Sequence, residues 1–255
     1  MRHILCITGM HRSGTSLLAS WIEHCGLNIH NGNVMGAHVG NPKGHFEDED
    51  FVDLHSSAIL SEYPSSKNWQ VFVDTFLTFS DGHLSMAKKL VSERNKKFNN
   101  WGWKDPRSVI FLEQWKAIMP ELKVLLIWRP CSEVVHSLAE RSSKAWNSSI
   151  VKVKIRDSVK LWISYNKRIC EYKQKYPDDS VLLHIKNITE NDSEVIELLN
   201  KKLQLDFKYR PIGDIYDENL LRRKSISLRR MASRVASFYY GALKLEDTLQ
   251  ELSDS

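Results

Sequence analysis

The sequence predicts an α/β fold of three layers, a central parallel sheet flanked by helices, formed as a single P-loop-like domain over residues 1–255. Three observations point there. Strand-like apolar runs alternate with helical patterns, the order that gives crossover connections and a parallel sheet. The run Leu122 to Trp128 is apolar except for Lys123, as suits a strand buried on both faces. Finally, Ile4-Leu5-Cys6-Ile7-Thr8 feeds into Gly9-Met10-His11-Arg12-Ser13-Gly14-Thr15-Ser16, a glycine-bounded loop that opens a helix. Such a loop aims backbone N–H groups and the positive end of the helix dipole at one point, which suits an anion. Its spacing is that of GxxxxGK[ST], but Thr15 stands where lysine is required, and Arg12 is the cation of the loop. The pattern predicts a phosphate site that is not an ordinary ATP or GTP site.

Residues 3–8 read as the first strand and Thr15 to Cys25 as the first helix, with Gly26 placed for a left-handed C-terminal cap. Residues 26–46, rich in Gly, Asn and His, read as a long loop of the kind that often carries function. A helix opens at Glu47-Asp48-Glu49-Asp50, where acids suit the dipole, and places Phe51, Leu54, His55 and Ala58 on one face. Signals over 64–80 are mixed, and Leu84 to Lys97 reads as a helix. Trp101 to Lys104 is a short strand ending in Asp105-Pro106-Arg107, and Val109, Ile110, Leu112 and Trp115 predict a helix stopped by Pro120. After the 122–128 strand, Arg129-Pro130 interrupts the chain and Ser132 is placed to cap a helix that buries Val134, Val135, Leu138 and Ala139. Helical spacing runs from Ile150 to Tyr176, Val181-Leu182-Leu183 is a strand, and Ser193 to Leu203 a helix. Ile226 to Leu249 reads as one amphipathic helix suited to cover the sheet or to form a dimer face. The chemistry-bearing core is 1–190, with a helical part over 191–255.

The composition is 42% hydrophobic and 26% charged, and no apolar run approaches the ~20 residues of a membrane span. Cys6, Cys25, Cys131 and Cys170 form no CxxC pair, which predicts buried thiols in a reducing cytoplasm rather than zinc or redox chemistry. No histidine pair has ligand spacing with a matching carboxylate or thiol, so no metal is expected, and His38, His45 and His55 read as surface or loop residues. A net charge of +5 fits a polyanionic ligand. Lys152, Lys154, Arg156, Lys160, Lys167 and Arg168 read as a solvated helix face, since no nucleic-acid-reading motif accompanies them.

In such sheets ligands sit beyond the carboxyl ends of the strands. Polar clusters mark three of these ends: the loop, Lys104-Asp105-Pro106-Arg107, and Arg129 with Ser137 eight positions later. A guanidinium and a hydroxyl brought together this way can bind a second phosphate. Here the chain resembles the sulfotransferases that use 3′-phosphoadenosine 5′-phosphosulfate (PAPS) as donor. His11-Arg12-Ser13-Gly14-Thr15-Ser16 is similar to their 5′-phosphosulfate loop. Arg129-Pro130-Cys131-Ser132-Glu133-Val134-Val135-His136-Ser137 is similar to their 3′-phosphate motif. Gly44-His45-Phe46-Glu47-Asp48 and Trp103-Lys104-Asp105-Pro106-Arg107 resemble bacterial members.

The resemblance implies in-line, metal-independent transfer of a sulfuryl group to a hydroxyl or amine of a saccharide or small-molecule acceptor. It implies that Arg12 is the cation beside the scissile bond, that Ser13, Gly14, Thr15 and Ser16 hold the 5′-phosphate, and that Lys104 is a second cation near the transferring group. Arg129 and Ser137 would hold the 3′-phosphate. For the base it points to Glu47, as in the carbohydrate-modifying branch, with Asp48, His45 and Asp105 behind it. The histidine that the cytosolic branch carries after the lysine is absent, and Leu17 stands where that branch has an adenine-stacking tryptophan; Trp21 reads as core. Two other readings stay open: a nucleotide or metabolite kinase with an altered loop, and a non-catalytic module that binds adenosine bisphosphate.

Overall fold

The computed structural model describes residues 2–32, 46–66, 70–144, 154–215 and 228–254. Strand β1 (His3–Gly9) leads through the loop into α1 (Thr15–His24), and α2 (Glu49–Glu62) and α3 (Asp81–Lys97) follow. Next come β2 (Asn100–Lys104), a 3-10 turn (Pro106–Phe111), α4 (Leu112–Ile118), β3 (Lys123–Trp128) and α5 (Cys131–Lys144). The remainder is α6 (Ile155–Lys175), β4 (Ser180–His184), α7 (Ile185–Glu190), α8 (Asp192–Leu203), a 3-10 turn (Ile212–Asp214), α9 (Leu228–Tyr239) and α10 (Ala242–Leu252).

The four strands are parallel in the order β2-β1-β3-β4, with helices on both faces, which is the predicted α/β architecture. Strand periodicity divides the core in two. Ile4 and Cys6 of β1 and Val124 and Leu126 of β3 join the cluster formed with α2, α3, α4 and α6. Leu5, Ile7, Leu125 and Ile127 face α1 and α8 instead. Because β1 lies between β2 and β3, its partners at the carboxyl ends are Lys104 on one side and Ile127 on the other. The three polar clusters are thereby gathered at one edge of the sheet. Gly9 is required there, because a Cβ on it would lie 2.2 Å from the Ile127 carbonyl oxygen.

Several boundaries differ from expectation for identifiable reasons. The α2 helix begins at Glu49 rather than Glu47, since Asp48 is extended and caps it by accepting from the Asp50 N–H. Ser80 caps α3, which therefore starts three residues early. Within 64–80, the described residues 70–80 pack without regular structure, burying Val71, Val73, Leu77 and Phe79, and Ser164 Oγ bonds both backbone groups of Val73. The helix predicted through Val109 opens as a 3-10 turn started by Pro106 and capped by Asp105.

Ser132 does not cap α5, because the helix already begins at Cys131. Its Cys131 N–H donates instead to Glu246 Oε1, 2.7 Å away on α10. The single final helix is in fact two: Gly241, at φ 73°, separates α9 from α10. The α10 helix packs on α6, and Asp254 beyond it bonds the Leu182 backbone and Lys173, fastening the chain end over β4. The six-residue α7 was not anticipated. Arg168 is not on a solvated face of α6: it is buried, with its guanidinium over the Phe76 ring. His55 is likewise buried rather than on the surface, whereas His38 and His45 lie outside the described residues. Trp21 is core, its indole donating to the Arg210 carbonyl, and all four cysteines are buried free thiols. Among the described residues no helix is long and apolar enough to cross a membrane, and no group of three or more His, Cys, Asp and Glu is arranged to hold a metal.

Candidate active site

The loop after β1 is shaped for an anion. Gly14, at φ 100°, is the N-cap of α1, and no side chain caps the helix. Its first-turn amides therefore have no intrahelical acceptor and point out of the N-terminus. Arg12 adopts φ 71°, an uncommon conformation for a residue with a Cβ, which throws its side chain out of the loop toward α5. Ser13 Oγ is buried without a hydrogen-bond partner among the described residues. Thr15 is buried, and Ser16 Oγ accepts from Lys104 Nζ at 3.3 Å.

The α5 helix brings a second group to the same place. Arg12 Nε donates to Ser137 Oγ at 3.0 Å, and Arg129 Nη1 approaches the Arg12 carbonyl at 3.5 Å. Glu133, in the first turn of α5, accepts from Arg129 Nε at 2.8 Å and orients it. Burial, then the charges of Arg141 and Arg129, lower the Arg12 guanidinium to about 10. Glu140 pulls the other way, and guanidiniums gathered beside an uncapped helix N-terminus suit an anion.

On the other side of the loop lies a buried ionic chain. Lys104 Nζ, at the end of β2, donates to Glu47 Oε1 at 2.8 Å. Burial lowers the Lys104 ammonium against the pull of Glu47. Arg107 Nη1 donates to Asp105 Oδ1 at 2.8 Å and lies 3.6 Å from Glu47 Oε2. Asp105 also accepts from the Arg107 N–H, and His55 Nδ1 is 2.8 Å from its Oδ2. The Trp115 indole donates to His55 Nε2, so the ring proton sits on Nδ1 and is given to Asp105. Burial alone would raise the Asp105 carboxyl, but Arg107 and His55 hold it well below the usual range.

These contacts separate the carboxylates. Asp48 is fully buried, capping α2 and accepting from Arg94 at 2.8 and 3.0 Å. Asp105 is equally sealed, while His45 lies outside the described residues. Glu47 is the one whose second oxygen makes no hydrogen bond among the described residues. The structure thus brings together Arg12, Ser13, Gly14, Thr15, Ser16, Glu47, Lys104, Arg129 and Ser137. The sequence places Arg107 and Glu133 within the converging motifs without assigning either a role, and it leaves out Arg141, for which helical spacing from Arg129 and Ser137 was the available signal.

No family model and no curated protein sequence matches the chain. Solved structures do. The sulfotransferase from Alicyclobacillus acidocaldarius superposes with a TM-score of 0.57 at 12% identity, covering 100% of this chain and 98% of that one. The sulfotransferase domain of the Synechococcus PCC 7002 olefin synthase gives 0.52 at 14% identity, covering 99% and 94%. The sulfotransferase domain from the curacin biosynthetic pathway gives 0.52 at 17%, covering 91% and 83%. At these identities the likeness establishes a shared fold.

Proposed function

We propose that the protein is a sulfotransferase that moves a sulfuryl group from PAPS to a hydroxyl or amine of a small-molecule or saccharide acceptor. The observation that carries this reading is the bond between Arg12 and Ser137, which joins a loop lacking the kinase lysine to a second phosphate motif. A kinase loop needs one cation on a triphosphate, whereas two linked anion sites suit a nucleotide phosphorylated at both ends. The residues present fit that group. An uncapped α1 N-terminus and the buried Ser13 hydroxyl, which has no hydrogen-bond partner among the described residues, receive the 5′-phosphate. Arg129 and Ser137 receive the 3′-phosphate.

When bound, the donor supplies a sulfur–oxygen bond that breaks as the acceptor oxygen or nitrogen bonds to sulfur, leaving 3′,5′-adenosine bisphosphate. Arg12 and Lys104 neutralise charge on the leaving phosphate and on the transferring oxygens, in a site where water no longer screens them. Glu47 Oε2 takes the acceptor proton. Lys104 on Oε1 fixes the carboxylate, and Arg107 is held in place by Asp105 and, through it, by His55. A cytoplasmic location, a single domain over 1–255 and independence from metal belong to the same proposal.

The test is transfer of labelled sulfate from PAPS to an acceptor panel, with Arg12→Ala and Glu47→Gln alongside. Transfer lost in both variants supports the assignment. Full activity in Glu47→Gln removes Glu47 as base, and no transfer by the native protein despite tight bisphosphate binding makes it a non-catalytic binding module.

A further inference from the structure

Arg141 lies on α5 one helical turn beyond Ser137 and three turns beyond Arg129, on the face that meets the loop. Its Nε is buried, yet neither a hydrogen bond nor an ion pair reaches Arg141 among the described residues. Its neighbours differ in this respect. Lys104 pairs with Glu47, Arg107 with Asp105, and Arg129 with Glu133, while Arg12 bonds Ser137. Arg141 is close enough to Arg12 for the two guanidiniums to repel, and close enough to Glu47 to be stabilised by its carboxylate. The residue is partly exposed although Nε is covered, so its guanidinium is within reach of a ligand.

A guanidinium desolvated at one edge, repelled by a second arginine and without a hydrogen bond among the described residues is costly without an anionic ligand. The donor's anionic groups are already met by the loop, Arg12, Lys104, Arg129 and Ser137. The charge left for Arg141 lies on the Glu47 side, where the acceptor must bring its nucleophile. Resting on the sulfotransferase reading, we infer that Arg141 binds an anionic group of the acceptor, a carboxylate, sulfate or phosphate carried within a few bonds of the hydroxyl or amine that Glu47 deprotonates. The acceptor class is therefore an acidic one, such as a hydroxy acid or a uronate-containing saccharide. Arg141 sets specificity within it.

Matched acceptors test this: p-nitrophenyl β-D-glucuronide against p-nitrophenyl β-D-glucoside, and 4-hydroxyphenylacetate against its amide. Binding of each to the protein saturated with 3′,5′-adenosine bisphosphate is measured by calorimetry, and transfer from labelled PAPS is followed in parallel. The acidic member of a pair is expected to bind at least about tenfold more tightly, the worth of one hydrogen bond to a charged group. The preference should vanish in Arg141→Ala and partly return in Arg141→Lys, with bisphosphate affinity changed far less than in Arg129→Ala. Equal or better binding of the neutral members overturns the inference and leaves the sulfotransferase reading standing. A loss of bisphosphate affinity in Arg141→Ala as large as in Arg129→Ala places Arg141 on the donor and overturns it too. Failure of the native protein to bind the bisphosphate at all removes the reading and the inference together.

Discussion

Arg12 Nε donates to Ser137 Oγ across 3.0 Å, joining the loop after β1 to α5 after β3. These strands are neighbours in register, Gly9 opposite Ile127, so the bond is a direct result of the strand order. It brings the loop and the α5 residues into one site. Ser137→Ala should weaken binding of 3′,5′-adenosine bisphosphate by about tenfold, as expected for one hydrogen bond to a charged partner, and should leave ADP binding unaltered. Calorimetry with the two nucleotides checks this.

Glu47→Gln should keep the contact to Lys104 in neutral form and remove the proton acceptor. The expected result is a fall in kcat of about 10²–10⁴-fold, the usual contribution of a positioned base, with bisphosphate affinity retained. Comparison of turnover with equilibrium binding in the same preparation separates a catalytic loss from a folding loss.

Asp105 gives the protein an acid-sensitive core. Its folded carboxyl is held below the ordinary 3.8, so its stabilisation is fully present above that value and fades as pH falls through it toward the depressed one. Asp105→Asn leaves Arg107 buried without its charge partner and should cost about 3–5 kcal/mol at neutral pH. Urea unfolding through the acid range should show the native and variant curves converging at low pH. Parallel curves would contradict the assignment.

Glu246 reaches from α10 to cap α5 at the Cys131 N–H, and burial raises its carboxyl above the ordinary 4.5. A group shifted this way stabilises the fold below the ordinary value and loses that contribution as pH rises through the folded one. Glu246→Ala removes the cap and should lower stability by about 1 kcal/mol in the acid range, with a smaller loss at neutral pH, where the native carboxylate is a buried charge. Glu246→Gln, which keeps the acceptor without the buried charge, should be at least as stable as the native protein. Thermal unfolding distinguishes the two.

Gly14→Ala should damage the loop itself. At φ 100° a Cβ is strained by about 1–2 kcal/mol, and it would lie 2.3 Å from Ile185 Cδ1. Reduced bisphosphate binding together with a lowered melting temperature is expected.

Much of this was legible in the sequence because it is local. The apolar run before Gly9 and the glycines at 9 and 14 specify the strand, the loop and the start of α1 without help from elsewhere. Leu122 to Trp128 declared a buried strand by composition alone. What escaped depends on distant partners. Ser132 looked like a cap because nothing in the sequence shows that Glu246, over a hundred residues away, supplies it. His55 reads as a surface or loop residue and Arg168 as a solvated one because their partners, Asp105 with Trp115 and the Phe76 ring, meet them only in the fold. The break at Gly241 was available as a helix-ending glycine but was outweighed by continuous amphipathic spacing on both sides.

In the proposed function, the loop and α5 together hold a nucleotide phosphorylated at its 3′ and 5′ positions. Calorimetric titration of the native protein with 3′,5′-adenosine bisphosphate and with ADP, each with and without magnesium, tests it most directly. The expected result is tight, magnesium-independent binding of the bisphosphate, little affinity for ADP, and loss of that preference in Arg129→Ala. Tighter, magnesium-dependent binding of ADP would contradict it.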